Sequence, residues 1–250
     1  MFDLHAHVLP GVPGGPRNLE DALATLCALA GDGITDVVAV APHSTGQSAI
    51  TTSELVERTA GLERIARQSG IAVRLHASHE VILDGEAERL LSSGAALTIA
   101  DGPYVLFKLT ADRLPALLIG TIERLRRIGF IPILANICRY LPAQRDVSVL
   151  APLVEAGALF QVSPRSLIGA AGPEAQRTLR ALLEARLAHV FGSGVASLDG
   201  APARYAEGLR LAEAIVGAAY VWEMVAESPH AIVRGLPVEV EAPRAVAGRG

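Results

Sequence analysis

Short β-rich runs alternate with amphipathic helical stretches along almost the whole chain, and this alternation constrains the fold more than any other feature. The runs fall at residues 2–5, 36–40, 72–75, 104–109, 131–134, 159–162 and 189–191. Between the first two, Leu19, Ala22, Leu23, Leu26 and Ala30 form one apolar helical face, with Asn18 as its cap and Gly33 as its stop. Thr51 and Glu54 have the spacing of a capping box that opens a helix toward Ser69 and Gly70. Further helices are expected at 116–128, 149–156, 173–185 and 203–225. Repeated β-then-α units imply a mainly parallel sheet, either open or closed into a barrel. With no internal repeat and no two-domain boundary, closure fits one domain of 250 residues better than two halves do. Residues 239–250, rich in Pro, Ala, Gly and Arg, read as a flexible tail.

Charge and cysteine content narrow the setting. Lys+Arg is 22 against Asp+Glu at 26, a net charge of −4, which argues against a nucleic-acid coat or a binder of anionic membrane. Lys108 is the only lysine, a bias that reads as genome composition. Cys27 and Cys138 are too few for a disulfide framework or a thiolate metal site, and a reducing, cytoplasmic compartment fits them best. Residues 1–5 lack the basic start and apolar run of an export signal. The most apolar late stretch, 211–226, is interrupted by Glu213 and Glu223, so no membrane insertion is expected.

In parallel α/β proteins, ligands gather at the C-terminal ends of the strands. The first strand ends in His5-Ala6-His7, and two imidazoles two residues apart on an extended segment can reach one divalent ion. The second strand delivers His43 and the third delivers Glu80, while His76 and His79 read as ordinary polar positions. Nitrogen and oxygen ligands of this kind suit Zn, Mn or Fe, which activate water for hydrolysis. The fifth strand delivers Asn136 and the seventh Gly194 and Ala196, none of which continues the ligand pattern. Arg139 and Arg165 carry planar forks suited to phosphate. Cys138 reads as a half-buried structural thiol, and Arg113, Arg124, Arg126 and Arg127 as a solvated helix face.

The opening Asp3-Leu4-His5-Ala6-His7-Val8-Leu9-Pro10-Gly11-Val12 resembles the polymerase-and-histidinol-phosphatase (PHP) superfamily. It is most similar to the bacterial capsule-type tyrosine-protein phosphatases of the CpsB/CapC family. Further matches are Gly33-Ile34-Thr35-Asp36, Ala41-Pro42-His43, Gly129-Phe130-Ile131-Pro132, Gln161-Val162, Ser166-Leu167-Ile168-Gly169 and Ser228-Pro229-His230. The resemblance implies a distorted (β/α)7 barrel of PHP type over residues 1–238. It also implies a cluster of up to three metal ions, usually manganese, and hydrolysis of phosphotyrosine by metal-activated water. The implied partner is the tyrosine-rich tail of a kinase that controls capsule or exopolysaccharide export. On this alignment His5, His7, His43 and Glu80 fall on metal-ligand positions, and Arg139 on the phosphate-binding arginine.

Four positions depart from the pattern. The family's Gly-Val-Asp-Asp-Gly turn reads Gly11-Val12-Pro13-Gly14-Gly15, its His-Pro-Glu-Arg reads Asn136-Ile137-Cys138-Arg139, and its Ser-Asp-Ala-His reads Ser193-Gly194-Val195-Ala196. Gly14, Asn136, Gly194 and Ala196 thus replace ligands, and losses of this kind leave at most one ion at reduced occupancy. Two functions follow: a phosphotyrosine hydrolase with a reduced metal site, or a catalytically impaired barrel kept as a binding or regulatory module. A histidinol-phosphate-type hydrolase fits less well. An oligomer is compatible with the sequence.

Overall fold

A computed structural model describes residues 1–43, 50–109, 115–196, 203–241 and 243–244. Seven strands pair in chain order: β1 (Phe2–Ala6), β2 (Asp36–His43), β3 (Arg74–Ile82), β4 (Tyr104–Lys108), β5 (Ile131–Leu134), β6 (Leu159–Val162) and β7 (Val190–Phe191). Every pairing between them is parallel. The ring closes where Gly194 N donates to His5 O and His7 N donates to Val195 O, both at 2.7 Å, beside a bridge from Ala6 to Val195. The expected α/β fold, a distorted seven-stranded barrel, is what the chain forms.

The helices in order are α1 (Leu19–Gly31), α2 (Thr52–Gln68), α3 (Ala87–Ser92), α4 (Pro115–Arg127), α5 (Leu141–Arg145), α6 (Ala151–Glu155), α7 (Gly172–Glu184), α8 (Tyr205–Val216), α9 (Ala218–Trp222) and α10 (Ser228–Val233). Asn18 caps α1 by accepting from Asp21 N at 2.9 Å, and Thr51 caps α2 by accepting from Glu54 N at 3.2 Å. Glu54 does not complete the capping box with its side chain but accepts from Arg58 at 2.6 Å. The long helix expected at 203–225 is broken at Gly217, whose φ of +87° ends α8. Arg244 N donates to Ala185 O at 2.9 Å, tying part of the tail to the barrel. Arg113 and the tail residues 242 and 245–250 lie outside the described residues.

Two apolar layers build the core. Inside the barrel lie Leu4, Val38, Val40, Leu106, Ile133, Leu159 and Val190. Between barrel and helices lie residues of the opposite parity, among them Ala39, Ala41, Val81, Phe107 and Leu134. β3 places no apolar residue in the inner layer; its inward positions are His76, Ser78 and Glu80. This corrects the expected strand at 72–75, which the structure moves to Arg74–Ile82. Strand propensity favours β-branched and aromatic residues, so a run of His, Ser and Glu conceals a strand.

Two buried histidines hold backbone amides. His79 Nδ1 accepts from Leu97 N at 2.8 Å, and His189 Nδ1 accepts from Phe160 N at 2.9 Å. Burial lowers both to a pKa of about 4. In the unfolded chain they titrate near 6.5, so between about pH 6.5 and 4 the native state holds fewer protons than the unfolded state. Stability present above pH 6.5 is therefore lost as the pH falls toward 4, at up to about 1.4 kcal/mol per pH unit for each group. Thermal unfolding in chelator should show the melting temperature falling across this window, with a shallower slope in His189→Gln.

Candidate metal centre

β1 carries a local irregularity that aims two imidazoles inward. Its register against β2 shifts between Asp3 and Ala6. Leu4 belongs to the inner layer and Ala6 to the outer one, and His5 and His7 both line the cavity at the barrel mouth. An inserted residue re-aims the side chains that follow it, which is the common use of a bulge beside a site. Glu80 comes from the inward face of β3, paired in register with Pro42 and Leu106.

His5, His7 and Glu80 each offer one ligand atom, and these atoms all lie within 4.8 Å of one another. His5 Nε2 stands 3.1 Å from His7 Nε2 and 3.5 Å from Glu80 Oε1. Burial lowers both imidazoles to a pKa of about 4, so both are neutral at pH 7 with lone pairs available to an ion. Burial raises the Glu80 carboxyl, while His7 opposes that shift. Two neutral imidazoles and one carboxylate converging on one point fit a single divalent cation.

The fully buried Gln161 orients His5. Its Oε1 stands 3.2 Å from His5 Nδ1 and accepts from Asn136 N at 2.8 Å, and its Nε2 donates to Gly192 O at 2.8 Å. Because Oε1 can only accept, His5 carries its proton on Nδ1 and turns the Nε2 lone pair toward His7 and Glu80. Gly192 permits this approach: a Cβ there would stand 2.7 Å from His5 Cβ. Asp3 adds a second tie, its Oδ1 accepting from His5 N at 3.1 Å and Ser193 N at 2.7 Å. Burial raises its carboxyl to a pKa of about 6.

Other expected residues divide between the cavity and the wall. The cavity, about 340 Å³, is lined by His5, His7 and Glu80 and also by Lys108, Asn136, Arg139 and Gly194. Asn136 adopts a left-handed backbone (φ +51°), and a Cβ on Gly194 would lie 3.3 Å from its side-chain nitrogen. A Cβ on Gly14 would lie 3.8 Å from His7 Nδ1. Three of the four altered positions therefore lie around the same ligand group; Ala196, half-buried, follows the seam. His43 is not in the three-residue group. It lies one residue past Pro42, on the opposite strand face, where its ring packs 4.8 Å from that of His79. Cys138 is fully buried rather than half-buried, 3.6 Å from Ser166 Oγ.

Gln161 and Lys108 were legible but unassigned. Gln161 is a lone amide in the apolar run Leu159–Val162, and Lys108 sits at the same kind of strand end that marked the other candidates.

Fold and site together define a parallel α/β barrel with a metal-type ligand group in its mouth. The chain belongs to the CpsB/CapC family of capsular polysaccharide synthesis, whose sequence profile matches residues 1–234. It is 27% identical over 193 residues to the tyrosine-protein phosphatase YwqE of Bacillus subtilis (strain 168), covering 77% of this chain and 76% of that protein. It is 21% identical over 238 residues to the tyrosine-protein phosphatase CpsB of Streptococcus pneumoniae, covering 93% and 98%. A solved structure from work on these two proteins, described as unique metal-dependent tyrosine phosphatases, superposes with a TM-score of 0.92 at 24% identity, over 99% of this chain and 100% of that one.

Removing the residue that fixes His5 should weaken metal binding without unfolding the barrel. Loss of such a supporting hydrogen bond typically costs about 10–100-fold in affinity. Titration calorimetry with Mn or Zn should show a decrease of that order in Gln161→Leu, and a larger one in His5→Ala.

Proposed function

We propose that this protein is a metal-dependent phosphotyrosine hydrolase whose centre is reduced to one ion, held by His5, His7 and Glu80. The observation that carries this reading is the convergence of those three side chains in a cavity that Arg139 also lines. The substrate class rests on the relatives, which are named tyrosine-protein phosphatases. The capsular setting of the family supports a kinase tail in a polysaccharide export system as the source of the phosphotyrosine, in the cytoplasm. Manganese is the first choice of ion, with Zn and Fe compatible with the same donors.

A divalent cation bound there supplies Lewis acidity toward water and the phosphoryl group. The chain does the rest. Gln161 keeps the His5 proton on Nδ1, so that Nε2 stays a ligand. The Arg139 guanidinium offers two parallel donors to phosphoryl oxygens. Leu109, Ala135 and Tyr140 supply the less polar wall against which an aryl group can rest, and the cavity volume is within the range of small-molecule sites.

A specific observation favours the second reading, a binding or regulatory module without turnover. Gly14, Asn136 and Gly194 surround the ligand group and contribute no charge to it, so among the described residues no second ligand group stands there for two-ion clamping of attacking and leaving oxygens. Hydrolysis of a phosphotyrosyl peptide across added Mn, Zn and Fe separates the two. Metal-dependent turnover that disappears in the His5→Ala/His7→Ala double variant supports the hydrolase. Well-folded protein with no turnover above that control supports the module.

A further inference from the structure

The single lysine of the chain stands in the cavity. On β4, Tyr104 and Leu106 line the barrel interior, and Lys108 is the next residue of the same parity. Register fixes its height: Leu106 pairs with Glu80, and Lys108 with Ile82, two residues further toward the mouth. Lys108 is solvent-accessible, and among the described residues its ammonium has no ion-pair or hydrogen-bond partner. Arg139 is likewise accessible, lines the same cavity and has no ion pair among the described residues. Among the described residues the cavity therefore holds two cations without an ion pair and one carboxylate, Glu80, which lies beside His5 and His7 and whose charged form Lys108 favours.

An unpaired cation facing a ligand group has two effects. It repels a divalent ion approaching that group, and it attracts an anion entering the cavity. A phosphate monoester, carrying close to two negative charges and three terminal oxygens, matches one compact ammonium and one planar guanidinium across the cavity.

We propose that Lys108 and Arg139 form a metal-independent clamp for a phosphate monoester, with Lys108 supplying inside the barrel part of the positive charge that an ion would otherwise provide. The clamp rests on the reading of this cavity as a phosphate site but not on turnover. It holds whether the protein hydrolyses its ligand or only retains it. Lys108 also sets the metal affinity of the centre, keeping it below what His5, His7 and Glu80 alone would reach.

Two titrations on the full chain test the clamp. In excess chelator, phosphotyrosine and inorganic phosphate are titrated against wild type, Lys108→Met and Lys108→Arg. Wild type should bind. Lys108→Met should bind about 10–100-fold more weakly, as expected for losing one charge-assisted contact, and Lys108→Arg should recover most of that loss. The slope of affinity against salt should also flatten in Lys108→Met. Separately, Mn is titrated without phosphate, where Lys108→Met should bind about 10-fold more tightly than wild type through relief of repulsion. Circular dichroism confirms that each variant is folded. Equal phosphate affinity in wild type and Lys108→Met, or weaker Mn binding in Lys108→Met, overturns the proposal. Absence of peptide hydrolysis with phosphate binding intact overturns only the hydrolase reading.

Discussion

The site depends on one buried amide. Gln161, on β6, reaches His5 on β1, the Asn136 backbone after β5 and the Gly192 carbonyl after β7. Four consecutive positions around the ring thereby share one side chain at their C-terminal ends. A hydrogen bond between neutral groups is worth only about 1 kcal/mol net, but a buried polar group left unpaired costs about 1–3 kcal/mol. Displacing any partner would strand others, so the geometry of His5 is held by the penalty for disorder more than by the strength of any one bond. The direction of the His5 Nε2 lone pair, toward His7 and Glu80, is set from behind, by a residue that does not line the cavity.

Much of the architecture was legible because parallel α/β packing leaves a strong imprint. β5 and β6 sit at the expected residues, since Ile131–Leu134 and Leu159–Val162 are apolar runs bounded by helix stops. β3 was placed too early because its inward face is made of histidine, serine and glutamate. Of those residues Glu80 alone lines the cavity, while His76 pairs with Asp36 at the opposite end of the barrel and Ser78 donates to His79 O.

Which of the candidate residues meet at the cavity follows strand parity. His5, His7 and Glu80 converge, and the two imidazoles share the cavity only because a register shift falls within β1. His43 lies on the parity opposite to Glu80, against His79, and sequence alone gives no frame from which to count it. Lys108 was visible at the end of β4 but was absorbed into a compositional bias, because rarity by itself says nothing about where a residue points. The role of Gln161 is not legible in the sequence, since its partners are separated from it by up to 156 positions in the chain.

The barrel seam carries a consequence for how such a site changes over evolutionary time. Closure of the ring uses the backbone of His5, His7, Gly194 and Val195, not their side chains. The segments that present the ligands are therefore kept in place by the requirement to close the fold, whatever side chains they bear. Side chains can be exchanged at these positions while the scaffold persists, which decouples inheritance of the shape from inheritance of the chemistry. A lineage of such barrels can drift away from its ancestral reaction one side chain at a time and still present a formed cavity to whatever ligand comes next.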